Sequence, residues 1–230
     1  MNLTIAKAKE FVRARIDELP PDSSEMLNAS DDGIDDLNLE STVEKCLEEA
    51  ITWVHTHAPL SLLEAQSNIY PGDCDVSLNG TTKVATLQAE LPVLRLVNLR
   101  CGDSDYVITT AVPEDSPVGR MQLNPYTRGT YDAPVLVLSG NDNDFYPQWK
   151  YYTVSPSTET APTFDVNVLL VPEKFRAQGD NRDNDYYFVC DRLCEAVLNY
   201  LTGMVLQSYS SQLAQSFFTK VTEYFQVNNS

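Results

Sequence analysis

Residues 91–138 read LPVLRLVNLRCGDSDYVITTAVPEDSPVGRMQLNPYTRGTYDAPVLVL. This stretch joins apolar β-type runs to a long polar connection carrying Pro and Arg. Leu94, Leu96, Val97 and Leu99 predict one strand. Tyr106, Val107 and Ile108 predict a second, reached by a turn through Gly102-Asp103-Ser104. Pro113, Pro117, Pro125 and Pro134 then exclude regular helix or central strand from about twenty residues. A connection of that length is functional or disordered as a rule. Because it also carries Met121, Leu123, Tyr126 and Tyr131, it reads as an arm docked onto something.

Outward from this stretch, the order of elements is helix, β region, helix. Ile5, Ala8, Val12, Ile16 and Leu19 recur at helical spacing and predict an amphipathic helix over 4–19, ended by Pro20-Pro21. Residues 20–40 read as an acidic connecting loop without Lys or Arg. Gly33 could be the sixth position of a calcium loop beginning at Asn28. The twelfth position is then Leu39, where a bidentate Glu is needed, so a solvated loop is the better reading. Ser41-Thr42-Val43-Glu44 matches a capping box and predicts a second helix over 41–57, with Val43, Leu47, Ala50, Ile51 and Val54 on its apolar face. Strands are predicted at 82–87, 94–99, 106–111, 135–138, 149–154 and 164–170, with Asn79-Gly80 and Gly140-Asn141-Asp142 as turns. Phe188, Leu193, Val197 and Leu201 predict a helix over 186–206, and Leu213, Phe217, Val221 and Phe225 another over 211–226. Each helix has one apolar face and nothing local to bury it. The expected fold is therefore α+β: a bundle of N-terminal (1–60) and C-terminal (173–230) helices around an inserted antiparallel β domain (61–172) with its Pro-rich arm at 113–134.

The chain has 230 residues, 43% hydrophobic and 10% aromatic, as in ordinary globular proteins. No apolar run reaches the ~20 residues that span a bilayer. Lys7, Lys9 and Glu10 interrupt any signal-peptide core, so synthesis in the cytoplasm without that export route is expected. Five scattered cysteines predict thiols rather than a disulfide framework. The 33 acidic against 16 basic residues give a net charge of −17, which disfavours gripping DNA through its phosphates.

Sequence motifs for chemistry are missing. There is no G-x-S-x-G, no phosphate-cradling glycine loop and no dinucleotide fingerprint. His55 and His57 are the only histidines. Cys190 and Cys194 are spaced four apart, as on one helical face, but core thiols are the better reading than zinc ligands. No catalytic residue, metal site or cofactor is expected. A carboxylate-based hydrolase with a β-rich insert is the alternative from another class, supported only by the surplus of acids. A capsid-decoration or adhesin module is a further alternative.

Several segments of this chain resemble the β region of the head-to-tail adaptor proteins of tailed bacteriophages. They are Leu91-Pro92, Leu94-Arg95-Leu96-Val97, Glu114-Asp115-Ser116-Pro117, Arg120 to Gln122, Asn124 to Gly129 and Pro134 to Leu138. The family is that of the tail tubular protein A-like ring proteins of short-tailed phages, with the ring proteins of crAss-like phages the nearest in pattern. The resemblance implies a structural virion protein at the portal vertex or tail, assembled in the host cytoplasm, and not an enzyme. It implies a closed ring of copies of this chain, a dodecamer in relatives. The partners implied are the portal protein and the adjoining tail ring or nozzle proteins. Genome DNA would pass through without sequence-specific binding, and no membrane is involved. Interface residues expected on this basis are Arg120, Met121, Leu123, Tyr126, Arg128 and Tyr131 of the arm, with Phe217 and Phe225 of the last helix. Asp31, Asp32, Asp35 and Asp36 are the candidates for an acidic channel lining.

Overall fold

The computed structural model describes residues 1–19, 36–63, 67–69, 74–102, 104–139, 146–154, 160–176 and 184–228. In chain order it begins with β1 (Asn2–Thr4), α1 (Ile5–Asp17) and α2 (Asp36–His57). The middle of the chain carries β2 (Ser67–Ile69), β3 (Cys74–Asn79), β4 (Val84–Ala89), β5 (Val93–Cys101), β6 (Val107–Ile108) and β7 (Val112–Pro113). Then follow α3 (Pro117–Met121), β8 (Val135–Leu138), β9 (Gln148–Tyr152) and β10 (Phe164–Leu170). The last part holds β11 (Lys174–Phe175), β12 (Tyr186–Phe188), α4 (Cys194–Gln207) and α5 (Ser211–Val227). The fold is α+β, with helices at both ends of the chain. Two compact units divide it: Met1–Glu64 with Pro172–Ser230, and Ala65–Val171.

In the helical unit, Thr4 is extended and its hydroxyl accepts the Lys7 amide at 3.2 Å, which caps α1. Ile5, Ala8 and Val12 are buried along one stripe. Helix α2 starts at Asp36, five residues before the expected cap at Ser41. Leu39 carries the buried stripe of Val43, Leu47, Ala50, Ile51 and Val54 back by one turn. Glu40 also reaches Arg13 of α1 at 2.9 Å. Within a continuous helix the amides near Ser41 are already bonded, so a capping box has nothing to satisfy there. Glu44 pairs instead with Lys174 Nζ at 2.9 Å.

Expected helix at 186–193 is also corrected. Tyr186–Phe188 is a strand, antiparallel to Asn2–Thr4, with buried Leu3 opposite buried Tyr187. Aromatic residues suit a pleated surface, and this pairing satisfies the backbone of the chain's first residues. Asp191–Leu193 forms a single 3-10 turn, and α4 begins only at Cys194. Cys190 and Cys194 are therefore not two positions of one helix. Helix α4 is apolar on most sides, with Val197, Leu198, Leu201, Val205 and Leu206 buried. Ser210 caps α5, which returns along α4. Gly203 is where they meet closely, since a Cβ there would lie 2.5 Å from the Phe218 ring.

In the β unit, a five-stranded sheet runs β3-β4-β9-β8-β7 and a four-stranded sheet runs β2-β10-β5-β6 among the described residues. Pairing is antiparallel except between β7 and β8. The β3–β4 hairpin turns at Asn79, whose side chain accepts the amides of Thr81 and Thr82 at 3.1 Å each. Lys83 takes the left-handed conformation there (φ 56°). Ala85, Leu87, Leu136, Trp149 and Tyr151 from one sheet share a core with Leu99, Phe164, Val166 and Val168 from the other. Side chains alternate along strands, so Val84, Thr86, Val135, Val137, Lys150 and Tyr152 lie on the opposite, outer face of the five-stranded sheet. Two of them, Val137 at 1% and Tyr152 at 6% exposure, are nonetheless buried. Something covers that face.

Candidate functional site

The cover is the arm. Val112–Pro113 adds to the sheet edge beside Val137–Leu138, so the start of the Pro-rich stretch is an edge strand, not a central one. Proline is compatible with an edge position, because it has no amide to offer a further neighbour. Glu114 then anchors the arm: its carboxylate accepts Lys150 Nζ at 2.8 Å and Ser139 Oγ at 2.7 Å. The hydrogen bond from Lys150, and then that from Ser139, holds the carboxyl below its usual pKa. Ser116 caps the short helix α3 by accepting the Gly119 amide at 3.0 Å, with Pro117 at its first position. Proline here starts a helix, where the stretch was expected to contain none.

Gly119 is required by close approach. A Cβ at this position would overlap the Pro113 carbonyl oxygen and lie 2.8 Å from that of Glu114. These are backbone atoms and cannot rotate away. Gly119→Ala is expected to cost about 1–3 kcal/mol as an overpacked site and to lift α3 from the sheet edge. Faster amide exchange at Gln122 and Gly129 in that variant, with the Leu87 and Leu99 amides unchanged, would be the signature.

Gln122 braces the rest of the arm. At 4% exposure it donates Nε2 to the Val118 carbonyl at 2.9 Å and accepts the Gly129 amide on Oε1 at 2.7 Å. Thr153 Oγ1 on the sheet side donates to the Gly129 carbonyl at 2.6 Å. Thr127 Oγ1 donates to the Met121 carbonyl at 2.8 Å, and Asn124 Oδ1 accepts the Tyr126 amide at 3.0 Å. Side-chain bonds thus brace the arm from Val118 to Gly129. Among what it presents outward are four large apolar side chains: Val118, Met121, Leu123 and Tyr126 are 46, 49, 68 and 95% exposed. Arg120 is exposed among them.

Between the arm and the uncovered part of the outer sheet face lies a groove of about 290 Å³. Val84 and Tyr152 line it with Thr86, Leu123, Arg128 and Lys150. Lys150 is neutralised by Glu114. Among the described residues no carboxylate pairs with Arg128.

The structure therefore places Arg120, Met121, Leu123 and Tyr126 together on the exposed side of the arm, and turns Arg128 into the groove. Tyr131 is half-buried and does not belong to the exposed set. Phe217 and Phe225 are 3% and 9% exposed and pack inside the helical unit, so neither offers a surface to a neighbour. Asp31, Asp32 and Asp35, the possible calcium loop around Gly33 and the turn at residues 140–142 lie outside the described residues, and Asp36 is described only as the first residue of α2. Sequence reasoning missed Glu114, Gly119, Gln122 and the groove. Only the Ser116-Pro117 pair, a helix-start signal, could have pointed to the short helix.

The residues weighed for chemistry are dispersed. His55 is buried, whereas His57 is exposed, stacks on Trp53 with 4.3 Å between ring centroids, and has Nδ1 2.8 Å from the Trp53 carbonyl. Cys46, Cys101, Cys190 and Cys194 are not in disulfides. Among the described residues no three His, Cys, Asp or Glu side chains converge as metal ligands would. No helix among them is long and apolar enough to cross a membrane. Compared with models of protein families, with curated proteins and with solved structures, the chain matches none.

Proposed function

We propose that this chain is a structural subunit of a phage virion: a head-to-tail connector that closes into a ring below the portal and forms part of the DNA exit channel. The observation that carries the reading is the arm, an ordered lobe with four large apolar side chains and one arginine turned to solvent on a strongly acidic chain. Exposed apolar clusters rimmed by polar residues mark interaction surfaces. Hydrogen-bonded bracing lowers the ordering entropy that such a surface loses on binding, which favours an assembly contact. The resemblance of the same residues to phage ring proteins supplies the partner class: neighbouring copies, the portal and the adjoining tail ring. The net charge of −17 suits a conduit that DNA passes without sticking.

Replacing Met121, Leu123 and Tyr126 together by Ser tests this in the virion. These side chains point outward, so the purified variant is expected to keep its unfolding temperature within about 2 °C, as surface changes usually do. Incorporation into particles is expected to be lost. Normal tails and infectivity with all three substitutions in place would refute the assembly role of the arm.

A further inference from the structure

We propose that the groove between the arm and the outer face of the five-stranded sheet receives a carboxylate-bearing segment of a second copy of this chain, with Arg128 as the residue that recognises it. The inference rests on the ring reading only for the identity of the partner.

Among the described residues no carboxylate lies beside the Arg128 guanidinium, on a chain with 33 acidic and 16 basic residues. Glu114, the acid that anchors the arm, is already bonded to both Lys150 and Ser139. Arg128 is half-buried against the sheet, where water screens a charge less than on an open surface. Its planar fork donates to both oxygens of one carboxylate. Around it the groove supplies what an extended acidic segment needs. Thr86 offers a hydroxyl, and Val84, Leu123 and Tyr152 offer apolar surface for flanking side chains.

The occupant follows from continuity. Leu123 lines the groove and is also 68% exposed on the outer side of the arm. A body that covers the apolar arm therefore comes up against the groove mouth. Another copy of this chain meets both demands, because it carries acids in twofold excess, 33 against 16 basic residues. Two copies of net charge −17 repel at long range, so a local cationic receptor is needed to set their register.

Carbodiimide chemistry on the full-length chain tests this. Arg128→Lys places an amine in the groove; activating a carboxylate there and expelling the urea joins the two as an amide, with loss of one water overall. An equal mixture of unlabelled and nitrogen-15-labelled protein, mapped by mass spectrometry, separates contacts between copies from contacts within one. The Glu114–Lys150 pair, 2.8 Å apart, reports that the reagent reaches the groove. Isotopically mixed crosslinks from position 128 to an Asp or Glu are expected. Arg128→Glu is expected to weaken self-association by at least about thirtyfold, as loss of a desolvated charge pair does. Crosslinks from position 128 that are only within one copy, or none from it while Glu114–Lys150 is joined, overturn the proposal. Negative-stain imaging of the same samples keeps the two readings apart. Rings without a mixed crosslink sink the groove alone, and mixed crosslinks in particles that never close into rings sink the connector reading instead.

Discussion

Leu47→Asp and Leu193→Asp are each expected to destabilise the helical unit by roughly 3–5 kcal/mol, the range of severe core disruptions. Both side chains are fully buried, although 145 positions separate them in the chain. Leu47 lies on the inner stripe of α2, and Leu193 closes the 3-10 turn that leads into α4. A carboxylate at either site must stay buried without a partner or force the helices apart. For a body of this size that corresponds to a fall in unfolding temperature of about 10–15 °C. The prediction is sharpest as a pair. If the helices from the two ends of the chain share one core, helical signal from both ends is lost in a single transition in both variants. Unchanged melting of either variant would show that its helix does not depend on the common core.

Acid is expected to weaken the same unit through His55. The side chain is 1% exposed, and burial pushes its pKa down to about 4 from 6.5. In the unfolded chain the imidazole takes up its proton near pH 6.5, while the folded protein resists protonation until about pH 4. Between these values the unfolded state binds more protons, so stability falls as the pH falls. The contribution is complete above pH 6.5, and by pH 4 roughly 3 kcal/mol is lost. Glu114 acts in a lower window. Its carboxyl is held below the usual value, so its contribution is present above pH 4.5 and disappears as the pH drops through the lowered pKa. Denaturant titrations at intervals from pH 7 to pH 4.5 separate the two. His55→Gln, which cannot become charged, should flatten the slope between pH 6.5 and 4.5, whereas Glu114→Gln should leave it intact. A His55→Gln protein as acid-sensitive as the parent would remove His55 from the account.

Periodicity made the helical ends and the long strands legible. Apolar residues three and four apart located α1 and α5 to within about two residues, because a helix with one buried face must repeat in that way. Val135–Leu138 and Phe164–Leu170 have the bounds that the sequence predicts, the first as an uninterrupted apolar run and the second by its alternation of Phe164, Val166 and Val168 with Asp165 and Asn167. Short edge strands carried no such signal. Asn2–Thr4, Lys174–Phe175 and Tyr186–Phe188 are too short to show a period and exist because they pair with each other across the chain. Residues 36–40 belong by composition to the acidic connector that the sequence predicts over 20–40, yet burial of Leu39 and the pairing of Glu40 with Arg13 extend the helix through them.

The arm marks the same division most clearly. Its prolines and exposed apolar residues singled it out in one dimension, since backbone restriction and hydrophobicity belong to individual residues. Its path does not. Glu114 meets Lys150 and Ser139, Gly129 meets Thr153, and Gly119 fits against Pro113 only after the sheet exists to receive them. The same holds for Phe217 and Phe225, as apolar as Leu123 and Tyr126 in sequence but drawn inside by the helix opposite. Composition and spacing state which residues need burial. Which partner buries them depends on contacts between distant segments, and those are formed only when the chain has closed on itself.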